Sequence, residues 1–215
     1  MLLILEIKWK VFILDMRVGL VATSRSGSTY FRRFLCNVFG LYDPASWLKK
    51  NSYNDIEKEN WSTQPHILKI LPHYIPEDQH IGKMISGFPC IWLYRKDVLS
   101  QFLSHITRLR TKVNHIHYES ERPNIPDGSL IATKEEFDRF MNKLEQFWDI
   151  YYTHNEGTLV QFENFLDDPL TTLADLQEQY GLKADNKVRT QLTVAMGIDY
   201  EKKFENIEEI KGWFE

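Results

Sequence analysis

Arg17-Val18-Gly19-Leu20-Val21-Ala22-Thr23-Ser24-Arg25-Ser26-Gly27-Ser28-Thr29-Tyr30-Phe31 is the stretch on which the fold turns. Its first seven residues, 17–23, are short and mostly apolar, which predicts a buried strand. Six small or polar residues follow, Ser24 to Thr29. Tyr30, Phe31, Phe34, Leu35, Val38 and Phe39 then recur at helical spacing, with Arg32, Arg33 and Asn37 on the opposite face. Gly40 stands where a helix C′ residue belongs. Strand, small-residue turn and helix make the first half of a βαβ unit.

Moving outward, the alternation repeats. Further strands are predicted at 66–71, stopped by Pro72, at 90–95 and at 158–162. Asp97 can cap a helix that carries Val98, Leu99, Phe102, Leu103 and Ile106 on one side. Thr133 and Glu136 form a capping box ahead of Phe137, Phe140, Met141, Leu144, Phe147, Trp148 and Tyr151. Asp168 and Pro169 open a helix that Gly181 closes, and the remainder reads as helical and polar. Residues 113–131, with Pro123, Pro126 and Gly128, read as a long loop of the kind that often serves as a lid. Strands alternating with helices predict an α/β fold whose parallel sheet is covered on both faces.

Length and charge narrow the function classes. The chain has 215 residues and a formal net charge of −4, which fits one domain over 1–215 and argues against nucleic acid as a partner. Positive charge is nonetheless clustered, at Arg25, Arg32 and Arg33 and again at Arg95, Lys96, Arg108, Arg110 and Lys112. Such clusters suit a small polyanion; solvated helix faces are the other reading. Cys36 and Cys90 read as buried thiols. His115 and His117 would share a face on an extended segment, but no third ligand is evident and no metal is expected. Residues 1–15 are apolar but broken by Glu6, Lys8 and Lys10, and read as an N-terminal extension or an edge strand, with Met1 and Met16 both open as the start. They are too short and charged to span a bilayer and lack a cleavage site, so a cytoplasmic protein is expected.

The 24–29 turn carries the chemistry. Small residues let backbone N–H groups and a helix N-terminus converge on an anion, while Ser26, Ser28 and Thr29 add hydroxyls and Arg25 a fixed charge. It is not a Walker A loop, because no Lys precedes Ser28. An ordinary strand–helix turn is the alternative.

Ser24 to Phe31 resembles the 5′-phosphosulfate loop of the sulfotransferases that use PAPS (3′-phosphoadenylyl sulfate), closest to the carbohydrate-type and bacterial members. Golgi carbohydrate members carry Arg-Ser-Gly-Ser-Ser-Phe there. The resemblance implies that Arg25 contacts the transferring sulfuryl group, and that Ser26, Gly27, Ser28 and Thr29, with Tyr30 next to them, hold the 5′-phosphate. Leu93 to Ser104 resembles the family's 3′-phosphate segment. The usual eight-residue spacing to Ser104 picks Lys96, and the strand-end position picks Arg95. Val160 to Leu170 resembles the Tyr-Glu-Asp-Leu…Asp-Pro stretch, with Phe162 and Asn164 as departures and Glu163 in a structural role. The family's C-terminal Arg-Lys-Gly-x-x-Gly loop has only a poor match at Lys211-Gly212.

The implied fold is P-loop-like and three-layered, a central parallel sheet of four to five strands flanked by helices. The implied reaction is in-line transfer of sulfuryl from PAPS to an acceptor hydroxyl, carbohydrate among the candidates, without a metal. For the general base, Asp43 before Pro44 stands where Golgi members carry Glu-Pro, and His73 is second; a plain turn at 43–44 is equally open. Lys69 points toward the sulfate or out to solvent. His105 lines the cleft or is structural. The competing readings are a non-catalytic nucleotide- or sulfate-binding protein on the same scaffold and a P-loop-like nucleotide kinase.

Overall fold

The computed structural model describes residues 17–43, 65–74, 85, 89–113, 123–154, 156–184 and 198–215. The elements in chain order are β1 Arg17–Ala22, α1 Ser28–Phe39, β2 His66–Ile70, β3 Cys90–Tyr94, α2 Val98–Thr111, α3 Lys134–Thr153, β4 Thr158–Gln161, α4 Phe162–Asp167, α5 Pro169–Tyr180, α6 Tyr200–Lys203 and α7 Ile207–Gly212. A 3-10 turn, Pro72–Tyr74, follows β2. The possible edge strand within 1–15, Pro44, His115, His117 and residues 114–122 of the expected loop lie outside the described residues.

Among the described residues the sheet has four strands, all parallel, in the order β2-β1-β3-β4. β1 is buried on both faces, as a central strand between crossover helices must be. Alternate residues sort the layers. Val18, Leu20, Ala22, Ile67, Ile91 and Leu93 face α1, α4 and α5. Val21, Ile70, Cys90 and Trp92 face Phe147 of α3, with Trp148 and Tyr151 packed alongside. A third cluster joins α2 and α3 to the C-terminal segment through Phe102, Phe137, Phe140, Phe204 and Ile210.

Local chemistry ends the helices as expected. Asp97 accepts the Ser100 N–H at 2.9 Å, the Thr133–Glu136 box closes in both directions, and Asp168 caps α5 with Pro169 behind it. Gly40 and Gly181 occupy the left-handed C-cap positions. Tyr180, at the end of α5, fastens that helix to the sheet: its hydroxyl donates to the Cys90 carbonyl and accepts the Thr158 N–H, both at 2.8 Å.

Four expectations need correction. Each predicted strand runs one residue too far, since Thr23, Leu71, Arg95 and Phe162 lie outside the strands. Phe162 instead begins α4, an unexpected short helix. The Phe165 ring fixes it by edge contacts to Phe31 at 4.8 Å and Phe34 at 5.0 Å, pairs worth roughly 0.5–1.5 kcal/mol each beyond their area. Arg32 does not face solvent; it is 8% exposed and pairs with Asp43 at 3.2 Å. The tail is not uniformly polar, because Phe204 and Ile210 are buried and Trp213 and Phe214 pack on Phe137.

Gly157, at the entry to β4, has φ +121, and a Cβ there would lie 1.9 Å from the Cys90 carbonyl oxygen. Backbone cannot yield as a side chain can, so Gly157→Ala must push β4 away from β3. We expect a loss of about 3 kcal/mol, overpacking and left-handed strain together, read as a lower urea midpoint.

Candidate functional site

β1 is followed in space by β2 on one side and β3 on the other. That reversal puts the switch point of the sheet at the carboxyl ends of β1 and β3, the place where open parallel sheets bind ligands. The loop after β1 and the 95–97 turn after β3 flank it.

The first loop is built by its own polar atoms. Arg25 (φ 64) and Gly27 (φ 80) both take left-handed backbone. Ser26 is fully buried, and its hydroxyl donates to the Thr23 carbonyl at 2.8 Å, closing the turn. The Gln101 amide on α2 donates to the Thr23 hydroxyl and the Ser24 carbonyl, both at 2.7 Å. Gly27 is required twice, for its positive φ and because a Cβ would lie 2.3 Å from the Phe162 ring. As N-cap of α1 it offers no side chain, so no side-chain cap bond covers that helix end. The first N–H groups of α1 thus keep their partial positive charge for a ligand.

Cationic side chains converge on this point. Arg25 Nε donates to Ser104 Oγ on α2 at 2.9 Å, joining the first sequence motif to the second. Tyr200, Arg95 and Arg108 also act on its charge. Burial is the main force lowering its pKa, with Tyr200 partly opposing. Lys69 on β2 turns inward, not to solvent, and donates to Thr29 Oγ1 at 3.1 Å. Burial first, then Arg32 and Arg25, push its pKa down to about 7.

The second flank is held by Glu163 on α4. Its carboxylate accepts the backbone N–H groups of Lys96 and Asp97 at 3.0 and 3.3 Å and pairs with Arg95 Nε at 3.3 Å. Its role is structural, as expected. The structure brings Arg95 within electrostatic range of Arg25, whereas Lys96 is exposed. Tyr30 lies at the α1 entrance, its ring edge-on to Phe162 at 6.3 Å.

Two imidazoles lie near these charges, His105 buried on α2 next to Ser104 and His73 half-buried after β2. His73 and His105 both have pKa values lowered to about 4, by burial first and then by Lys143, with Arg108 also acting on each. Both rings are neutral at pH 7. His105 Nδ1 is buried and without a hydrogen-bond partner among the described residues, and its ring lies 5.5 Å from Phe140. Asp43, beside the β2 edge, is engaged by Arg32. Burial holds the Cys36 and Cys90 thiols protonated, with pKa values near 12. Among the described residues no cluster of three His, Cys, Asp or Glu could hold a metal, and no helix is long and apolar enough to cross a membrane.

Sequence reasoning missed Gln101, Lys143 and Tyr200, while Arg108 stood only within a basic cluster. A polar residue inside the apolar stripe of α2 was the available signal for Gln101. Lys143 and Tyr200 are joined to the site only by long-range folding.

No protein-family description matches the sequence, and no curated protein does. Solved structures do. Sulfotransferase STF1 from Mycobacterium tuberculosis H37Rv aligns over 97% of this chain and 79% of its own, with a TM-score of 0.54 and 12% identity. A sulfotransferase from Alicyclobacillus acidocaldarius aligns over 93% of this chain and 91% of its own, with a TM-score of 0.50 and 10% identity. With four parallel strands, helices on both faces and these neighbours, the chain has a sulfotransferase-like fold.

Proposed function

We propose that the chain is a sulfotransferase that moves the sulfuryl group of PAPS to an acceptor hydroxyl. One observation carries the reading: Arg25, drawn to Ser104, stands beside the uncapped N-terminus of α1 at the sheet's switch point. Fixed dipoles and a fixed cation in a buried place are what a developing anion needs.

Each residue then has a task. The N–H groups of Ser28, Thr29 and Tyr30 hold the donor's 5′-phosphate. Arg25 faces the bridging oxygen, which keeps the electron pair when its bond to sulfur breaks. Lys69, anchored on Thr29, faces the sulfuryl oxygens. Arg95, on the turn that Glu163 fixes, and Ser104 face the 3′-phosphate. As the acceptor oxygen bonds to sulfur, its proton passes to a base. His73 suits this best, because it is neutral at pH 7, while the Asp43 carboxylate is committed to Arg32. The phosphate loop lacks the Walker lysine, which disfavours the kinase reading.

Adenosine 3′,5′-bisphosphate (PAP) should raise the melting temperature and ATP should not. Arg25→Ala should lower sulfate transfer to a panel of glycans, phenols and peptides by about a hundredfold or more. Stabilisation by PAP with no transfer to any acceptor would favour the non-catalytic reading; no stabilisation at all would remove both.

Lys69 gives a second expectation. Its folded pKa of about 7 lies below the model-peptide value of 10.5. Between those values the unfolded chain holds a proton that the folded one lacks, so stability rises with pH there. The cost of burying the charge is full below pH 7. Lys69→Met should therefore raise the urea midpoint of the unliganded protein more at pH 6 than at pH 9.5, and lower transfer at least tenfold (roughly one charge-assisted hydrogen bond).

A further inference from the structure

We propose that the acceptor carries an anionic substituent, a carboxylate or a sulfate ester, and that His105 on α2 and Lys143 on α3 hold it beside His73. The inference rests on the sulfotransferase reading and deepens it by assigning a charge to the acceptor.

The donor leaves both residues without a task. His105 follows Ser104, whose hydroxyl accepts from Arg25 Nε at 2.9 Å, so it stands next to the anchor of the donor's arginine. It is 8% exposed, and its Nδ1 is buried with no hydrogen-bond partner among the described residues. A buried nitrogen of this kind weakens the fold unless a ligand satisfies it. The His105 ring lies 5.5 Å from Phe140 on α3. Lys143 comes three residues after Phe140, and helical side chains lean toward the N-terminus, so its stem extends over the turn that carries Phe140. The turn Pro72–Tyr74, with His73 at its centre, packs on α3 as well. Three elements thus bring His73, His105 and Lys143 together, and each imidazole feels the Lys143 charge.

The balance of charge at this point is positive. Arg108 also acts on both imidazoles. Glu136 is a carboxylate that acts on His105, but it is committed elsewhere: it pairs with Arg110 at 2.8 Å and accepts the Thr133 N–H at 3.0 Å. Lys143, half-buried, has no carboxylate within ion-pair distance among the described residues. An acceptor that offers only hydroxyls leaves that cation unused. An anion satisfies both groups: with its proton on Nδ1 the neutral imidazole donates to one oxygen, and the ammonium donates to another. Hydrogen bonds of this charge-assisted kind are about twice as strong as neutral ones.

Matched acceptors of one shape test this, with PAPS as donor. One set is methyl glucoside, methyl glucuronide and methyl glucoside sulfated at its primary hydroxyl; the other is a tyrosine peptide with and without a neighbouring glutamate. We expect kcat/KM for an anionic member to exceed that of its neutral counterpart by about tenfold or more. A gain with either anion supports the proposal, and the larger gain identifies carboxylate or sulfate ester. Lys143→Gln should cut the preference about tenfold while keeping PAP affinity and the unfolding midpoint. His105→Phe should cut it as well, yet raise the urea midpoint, because the unsatisfied nitrogen is gone. Equal use of neutral and anionic acceptors by the wild type, or a preference that survives both substitutions, overturns the proposal. A wild-type protein that does not bind PAP, or binds it and transfers to no acceptor, sinks the sulfotransferase reading itself, and this inference with it.

Discussion

The Gln101 amide, 1% exposed, holds the loop that everything else requires. It reaches from α2 to the Thr23 hydroxyl and the Ser24 carbonyl and ties the end of β1 to the helix that follows β3. The magnitudes show why such a tie is needed. A non-glycine residue in the left-handed region costs roughly 1–2 kcal/mol, and Arg25 occupies it. An internal hydrogen bond returns only about 0.5–1.5 kcal/mol. Gln101 supplies two, Ser26 one and Ser104 a fourth. Together they outweigh the backbone cost, and Arg25 stays over the sheet end.

The electrostatics oppose stability. Arg25, Lys69, Arg95 and Arg108 lie within electrostatic reach of one another or of a shared neighbour, with His73 and His105 kept neutral beside them. Asp43 offsets Arg32, and Glu163 offsets Arg95 while also bonding two backbone N–H groups. Burial acts against the charge on Arg25 and Lys69. An arrangement that is costly when empty and relieved by a polyanion is the usual signature of a binding site, where stability is given up for function.

Local patterns made the frame legible in the sequence. β1, its turn and α1 follow from an apolar run, small residues and a 3.6 period, and the caps at Asp97, Thr133 and Asp168 follow from side-chain chemistry within three residues. What escaped depends on distance along the chain. Arg32 lies off the apolar stripe of α1, yet Asp43 beside β2 draws it inward. Glu163 was recognisable as structural, but nothing local tells that it reaches residues 95–97. The tail did carry a signal, since Phe204, Ile207, Ile210 and Trp213 recur every third residue, but the charges between them masked it. Lys69 was undecided because a strand alternates and only the neighbouring strands settle which face is wet.

The packing of Trp213 and Phe214 on α2 and α3 also sets an order of events during biosynthesis. At roughly 5–20 residues per second, about five to twenty seconds separate the emergence of Phe102 from that of Trp213. Through that interval the aromatic faces of Phe102 and Phe137 that Trp213 and Phe214 cover in the folded protein stay bare. Exposed apolar surface of that kind is what makes a nascent chain prone to aggregate before its last helix docks.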